Sequence, residues 1–404
     1  MVFNAKQLHA MLQEWDIQTP AELQQLLGAM TTEVLQAVYE GELTAHLGYA
    51  KHQPSANPNS RNGYGSKRVK SFVGELELQP PRDRAGTFQP QLIPKRQTDI
   101  AGLEAQVLSL YAKGMSTRDI RDHLAELYGY TVSAETVSTI TDRVLEQVHA
   151  WQQQPLEPIY PIVFLDGLVV KLRREGRVQK ATVYVLFGYT LAGKKACLGV
   201  YLAETESASY WLTVLNDLKN RGVEDVLLVA VDNLAGISEA ITTAFPEAII
   251  QKCVVHQVRN SLKFVPWKEK KAVARDLKAI YTAPSEPAGR QHVDRFADQW
   301  DAKYPHIAQS WRENWAELST MYAYAAPIRT LIYTTNPVEN LNRQLRKLMK
   351  TRPVFPTEDA LFKLLYLGIS AQEQQWTQTR HHWGEIYAEL LLVFRKRLEP
   401  YIDR

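Results

Sequence analysis

Three acidic residues carry the chemistry that the sequence offers: Asp166 in YPIVFLDG, Asp232 in DVLLVAVDN and Glu339 in YTTNPVENLNRQLRK. Asp166 follows Ile162, Val163, Phe164 and Leu165, and Asp232 follows Leu227, Leu228, Val229, Ala230 and Val231. Each aspartate is therefore expected at the end or edge of an apolar strand, where a carboxylate is costly unless its charge is compensated. Paired divalent cations would give these oxygens hard partners. With Glu339 opening a basic helix, the set fits a centre that cuts and joins phosphodiesters using two Mg²⁺ ions, with Mn²⁺ as a substitute. Taken singly, each aspartate equally well ends a strand, caps a turn or pairs with an arginine. Glu339 beside Arg343 and Arg346 equally well forms a plain intrahelical ion pair.

Cys253 and His256 form a second pattern, C-x-x-H. Two ligands at this spacing do not complete a tetrahedral zinc site, and Cys197 is the only other cysteine. His256 falls just past an expected strand, in reach of the scissile phosphate or of a metal-bound carboxylate; a buried structural histidine fits equally. Cys253 reads as a packed residue.

The elements that must position these groups are bounded by length and composition. A chain of 404 residues exceeds a typical single domain, so two or three modules are expected. Apolar residues at 45% and charged residues at 23% fit a soluble protein with a substantial core. Two cysteines provide no disulfide framework, which points to a reducing cytoplasm. The start, MVFNAKQLHAMLQEW, lacks the order of a signal peptide, and no apolar run is long enough to span a bilayer. Net charge is only +3, so the distribution of charge says more about partners than its sum.

Residues 1–50 read as amphipathic helices through Leu8, Met11, Leu12 and Trp15, then Leu23, Leu26 and Leu27, then Val34, Leu35, Val38 and Tyr39. Residues 51–98 form a basic, glycine-rich segment of short strands, with Val73, Leu76 and Leu78 partly buried. Arg61, Lys67, Arg68 and Lys70 could follow a phosphate backbone there, or the segment is a solvated hairpin. Residues 99–152 look like a helix-turn-helix: a helix ending at Gly114, a second capped by Ser116 or Thr117, and a third capped by Ser133 and running to Trp151. Thr136 could face a major groove while Arg118 and Arg121 touch the flanking backbone. Three short helices are also a common packing unit without DNA.

From about 158 to 257 the order is strand, strand, strand, helix, strand, helix, strand, helix, which is that of a ribonuclease-H-like α/β core with a mixed five-stranded sheet and flanking helices. Such a sheet sets its first and fourth strands side by side, making Asp166 and Asp232 neighbours. Residues 258–330 read as an all-α insertion rich in Lys, Arg and Trp. Residues 331–404 return to the core as helices. In TTNPVENLNRQLRK, Thr335 or Asn336 can cap, Pro337 fits the first turn, and Leu341, Leu345 and Leu348 form the buried stripe, while Glu339, Asn342, Arg343 and Arg346 share the other face.

LDG with Asp166, VD with Asp232, KCVVHQVRNSLK with Cys253 and His256, IYTTNPVENLNRQLRK with Glu339, and the N-terminal RNGYGSKRVKS and PRDRAG together resemble the bacterial mutator-type insertion-sequence transposases. The resemblance covers nearly the whole chain. It implies a DDE transposase in which Asp166, Asp232 and Glu339 bind divalent metal, with an all-helical insertion between the second Asp and the Glu. It also implies double-stranded DNA with terminal inverted repeats and a target DNA as partners. Two ends must be brought together, so a homodimer or higher assembly is expected, without a membrane. The family usually has Gly after the second Asp, where this chain has Asn233, a residue that tolerates left-handed backbone angles.

Other readings keep the acids but change the role. A nuclease or junction resolvase of the same architecture need not carry the N-terminal helices or the large insertion. A transposase-derived regulator that only binds DNA would be expected to have lost an acid, and all three are present. A dinucleotide enzyme is disfavoured because no strand leads into G-x-G-x-x-G.

Overall fold

The computed structural model describes residues 17, 19–71, 73–98, 102–128, 132–203, 205–333 and 336–402. They form two compact units, divided after Arg143.

The first unit opens with helix α1 (Pro20–Leu47), whose N-terminus is closed by a reciprocal capping box between Thr19 and Glu22. Strands β1 (Arg61–Tyr64), β2 (Lys67–Ser71), β3 (Gly74–Leu78) and β4 (Pro81–Asp83) pair as β1–β4 and β2–β3, both antiparallel. Tyr39 of α1 packs with Val69, Leu76, Leu78 and Ile93. The several short helices expected before residue 50 are thus one long helix over the described part; Leu8, Met11, Leu12 and Trp15 lie outside the described residues. Leu23, Leu27 and Val34 are exposed rather than buried, because the narrow strands cover only the stripe that carries Leu26, Tyr39, Leu43 and Leu47.

Helices α2 (Leu103–Ala112), α3 (Thr117–Tyr128) and α4 (Ala134–Asp142) pack on one another through Val107, Ile120, Leu124 and Val137, all fully buried. The third helix expected to reach Trp151 is interrupted at Arg143; its remainder is α5 (Val144–Gln152), which belongs to the second unit. There Trp151 packs on Tyr366 with ring centroids 5.7 Å apart.

The second unit is built on a five-stranded mixed sheet: β5 (Ile159–Arg174), β6 (Arg177–Tyr189), β7 (Lys195–Ala203), β8 (Asp225–Val231) and β9 (Ile249–Lys252), in the spatial order β7-β6-β5-β8-β9. β5, β6 and β7 are an antiparallel meander, and β8 and β9 add in parallel. The β5–β6 turn is made by Glu175 and Gly176 with φ of 49° and 75°, the left-handed pair that a two-residue hairpin loop requires. Parallel strands need crossovers, supplied by α6 (Ala208–Asn220) between β7 and β8 and α7 (Ile237–Ala244) between β8 and β9. Trp211, Leu215, Leu218, Ile237 and Ile241 of these helices pack against Val163, Leu165, Leu186, Val229 and Val231 on one sheet face.

After β9 comes a helical run: α8 (Val254–Lys263), α9 (Trp267–Tyr281), α10 (Glu286–Trp300), α11 (Pro305–Glu313), α12 (Trp315–Leu318), a 3₁₀ turn over Ser319–Ala323, and α13 (Ala326–Ile332). Val273, Leu277, Ile280, Val293, Phe296, Ile307 and Trp311 bury its interior. The run also closes the sheet edge: Gln251 donates to Leu318 O at 3.1 Å and Thr320 donates to Ile250 O at 3.0 Å. The chain ends in α14 (Asn336–Met349), α15 (Glu358–Glu373) and α16 (Trp383–Ile402). α14 packs on β5 and β6, and α15 on β7. Thr335 lies outside the described residues, as do the side chains of Asn336 and Pro337.

Candidate active site

Asp166 is not at a strand end, as its sequence context suggests, but in the middle of the long β5. β5 continues to Arg174 because β6 pairs along its whole length, whereas its parallel pairing with β8 stops at Phe164 and Ala230. Continued by two residues, the same register sets Asp166 beside Asp232, immediately after β8. Side chains alternate along a strand, so Asp166 emerges on the face opposite Leu165 and away from α6 and α7. That is the side on which α14 lies against β5.

There Asp166, 4% exposed, accepts the amide of Asn342 at 2.7 Å on Oδ2 and the backbone N–H of Gly167 at 2.9 Å on Oδ1. Asn342 itself is fully buried. Burial, and then the nearby Asp232 charge, push the Asp166 pKa up, against the opposing effects of Asn342, His256 and Gly167. Glu339 lies three residues before Asn342 on α14, so both project from one helix flank.

α8 brings the positive groups. Its first turn follows directly from β9: Cys253 N–H bonds Val231 O at 2.7 Å and Val254 N–H bonds Tyr333 O at 3.1 Å. His256 Nδ1 is in ion-pair contact with Asp232 Oδ1, and its Nε2 lies 3.9 Å from Glu339 Oε1. Arg259 Nη1 is 2.8 Å from the same Glu339 oxygen and 3.1 Å from His256 Nε2. Burial lowers the His256 pKa, but Asp232 and Cys253 outweigh it and carry it up to about 10. The imidazolium and guanidinium thus offset the acids. His256 links Asp232 to Glu339, Arg259 braces Glu339, and Asn342 ties Asp166 to the helix that carries Glu339.

The turn after Asp232 closes with a bond from Leu234 N–H to Asp232 O at 2.8 Å. The left-handed conformation in this turn belongs to Gly236, with φ of 75°, and the tolerance of Asn233 for such angles is not called on.

Of the candidate DNA contacts in the first unit, Arg61 bonds Glu40 at 2.9 Å and Thr44 at 2.7 Å. Lys67 donates to Pro94 O at 2.7 Å, Arg68 pairs with Glu77 at 3.1 Å, and Lys70 is half-buried. Arg118 is exposed; Arg121 pairs with Asp122. The Thr136 hydroxyl sits 2.9 Å from Ser133 Oγ at the helix cap. In the second unit Arg343 and Arg346 are exposed on α14, Arg343 donating to Asn340 at 2.9 Å.

Asn342 belongs to the flank expected to be polar, with no partner assigned to it, and Arg259 falls in the segment expected only to be rich in Lys, Arg and Trp. A signal for Asn342 was present: asparagine competes poorly for a helix interior, and this one sits one turn beyond the glutamate. Arg259 had a weaker signal, three residues after His256.

Comparison with known proteins gives the family to which the chain belongs. The family described as "Transposase, Mutator family" matches residues 2–379. The "Transposase for insertion sequence element ISRM3" of Rhizobium meliloti is 42% identical over 373 residues, covering 92% of this chain and 93% of the relative. The "Transposase for insertion sequence element IS905" of Lactococcus lactis is 35% identical over 328 residues, covering 81% and 83%. The "Transposase for insertion sequence element IS256 in transposon Tn4001" of Staphylococcus aureus is 28% identical, covering 85% and 89%. With a family match along nearly its whole length and relatives aligned over most of theirs, the chain belongs to the Mutator family of transposases.

Proposed function

We propose that this transposase uses a ribonuclease-H-like core whose Asp166, Asp232 and Glu339 hold two Mg²⁺ ions, cuts the ends of its insertion sequence and joins them to target DNA. The observation that carries the reading is that His256 contacts Asp232 and lies 3.9 Å from Glu339, while Asn342 of the Glu339 helix bonds Asp166, so the end of β8, α14 and β5 are linked through their polar side chains. The sheet order and the helical run between Asp232 and Glu339 support the same core.

The donor set fits hard divalent cations. All three acids offer oxygen, the ligand that Mg²⁺ and Mn²⁺ prefer. Asp166 is buried where a second carboxylate raises the cost of its charge, a cost that a cation removes. When bound, the ions supply Lewis-acid stabilisation at the scissile phosphate and a hydroxyl nucleophile at neutral pH. Asn342 and Gly167 N–H fix the Asp166 carboxylate, so its orientation is set before substrate arrives. His256 and Arg259 hold Asp232 and Glu339 in place, and the half-exposed Arg259 is free to swing to a DNA phosphate once the acids are otherwise compensated. Water, or a 3′-hydroxyl, can take the same in-line path, so one site serves both cleavage and strand transfer. No protein nucleophile is required.

The first unit, with Lys67, Arg68, Lys70, Arg118 and Arg121 on its strands and helices, is proposed to bind the terminal inverted repeats. Synapsis of two ends implies at least two copies. In a test with labelled element ends and Mg²⁺ or Mn²⁺, Asp166→Asn, Asp232→Asn and Glu339→Gln should each lose cleavage and joining while keeping end binding. Full activity in any one variant would remove that residue from the centre.

A further inference from the structure

Besides its oxygen donors, the site holds two softer ones. Asp232, Cys253 and His256 each present a ligand atom, an oxygen, a sulfur and a nitrogen, all within 4.8 Å of one another. Their places follow from the fold: Asp232 ends β8, and Cys253 is tied by its own N–H to Val231 O, one residue earlier. His256 then returns one turn along α8.

We propose that Asp232, Cys253 and His256 form a three-ligand site for a soft divalent cation of the zinc class, and that its occupation takes Asp232 away from the catalytic centre and shuts the enzyme off. The proposal rests on the reading of Asp232 as a catalytic ligand only for its second half.

The chemistry separates this site from the one proposed for Mg²⁺. Thiolate and imidazole select zinc-class ions, whereas carboxylates alone suit hard ions. Zinc bonds of about 2.0–2.3 Å place tetrahedral ligands roughly 3.3–3.8 Å apart, so the observed spacing closes with side-chain movements of about 1 Å. Three protein ligands and a fourth position open to water is a common zinc arrangement. The outer partner that such sites use is also in place: a zinc-bound histidine usually directs its other ring nitrogen to a carboxylate, and His256 Nε2 lies 3.9 Å from Glu339 Oε1. On binding, the Cys253 thiol proton and the proton between His256 and Asp232 pass to solvent. No redox step is involved. Both ligand carboxylate and nearby Glu339 are thereby engaged, so a hard ion at the catalytic centre would have to share or lose Asp232.

Cd²⁺ titration of the full chain tests this directly, because a cadmium–thiolate bond gives an ultraviolet charge-transfer band. The chain has two cysteines, and Cys197 is fully buried in the sheet, with its N–H on Glu373 and its thiol beside Gly199 O. The band should saturate at one equivalent in the parent and in Cys197→Ser, and vanish in Cys253→Ser. His256→Ala should keep the band but weaken Cd²⁺ binding by about a hundredfold or more, beyond what outer partners carry. Zinc should inhibit Mg²⁺-supported cleavage by the parent, and far less by Cys253→Ser relative to that variant's own zinc-free rate. Absence of the band in the parent, or its persistence in Cys253→Ser, overturns the site. A normal band in the parent, together with full Mg²⁺ activity in Asp232→Asn, would instead overturn the catalytic reading and leave the soft-metal site standing.

Discussion

Asn342, fully buried on α14, donates its side-chain amide to Oδ2 of Asp166 at 2.7 Å across 176 residues of sequence. This bond docks the helix that carries Glu339 onto the strand that carries the first aspartate. Asn342→Ala leaves a buried carboxylate short of one donor, and bonds to charged groups contribute about 1.5–3 kcal/mol. Denaturant unfolding should show a loss of that size. Cleavage should fall by more than about tenfold, since an error of 1 Å in a catalytic group can cost a hundredfold. Asn342→Asp should be worse on both counts because it sets a second negative charge against Asp166. An Asn342→Ala protein with parental stability and rate would show that the bond positions nothing.

The acids are held together at a cost to the metal-free fold. Burial and the neighbouring Asp232 both disfavour the charged form of Asp166, so Asp166→Asn should stabilise the metal-free protein by about 1 kcal/mol, or about 2–4 °C in melting temperature. Saturating Mg²⁺ should reverse the order, because a ligand bound only to the folded state raises its stability in proportion to the logarithm of its concentration. Calorimetry with and without Mg²⁺ gives the answer, and a lower midpoint for the variant in chelator would contradict it.

Gly236 sits four residues beyond Asp232 with φ of 75°, and a Cβ there would come within 2.5 Å of the Ala208 backbone nitrogen. Trp211 anchors the same turn through its bond to Ala235 O at 3.1 Å. Gly236→Ala combines a left-handed penalty of about 1–2 kcal/mol with overlap against backbone that has no room to move. Loss of more than about 2 kcal/mol is expected, with a marked drop in cleavage as Asp232 is displaced. Gly41→Ala, inside α1 with no atom in the way, should instead add about 0.5–1 kcal/mol. Equal effects at the two positions would refute the argument.

Asp83 in the first unit offers a separate pH test. Burial raises its pKa, but Asn59, the Thr87 hydroxyl and backbone N–H, and the Phe88 N–H all donate to its carboxylate, and together they hold it well below the usual carboxylate range. A folded pKa below the unfolded value of about 3.9 means stability that is complete above about pH 5 and is lost as pH falls toward the folded pKa. Hydrogen exchange of the β1 and β4 amides should therefore accelerate below about pH 4. In Asp83→Asn this acid dependence should flatten, with about 1.5–3 kcal/mol lost already at neutral pH. Identical pH profiles for the two proteins would exclude Asp83 as the cause.

The order of strands and helices and the helical run before Glu339 were legible in the sequence, and the three acids stood out in it as candidates, because apolar periodicity and isolated carboxylates are local properties of the chain. The apolar run Leu227, Leu228, Val229, Ala230 and Val231 reappears as β8 for the same local reason. What the chain could not announce was pairing at a distance. Strand order already made Asp166 and Asp232 neighbours, but only packing put Asp166 in mid-strand, turned Asn342 inward to Asp166, and set Arg259 on Glu339 and Arg61 on Glu40. Each of these depends on strand register or on which helix flank meets which sheet face, and side-chain charge carries no information about its partner until tertiary packing has fixed the distance between them.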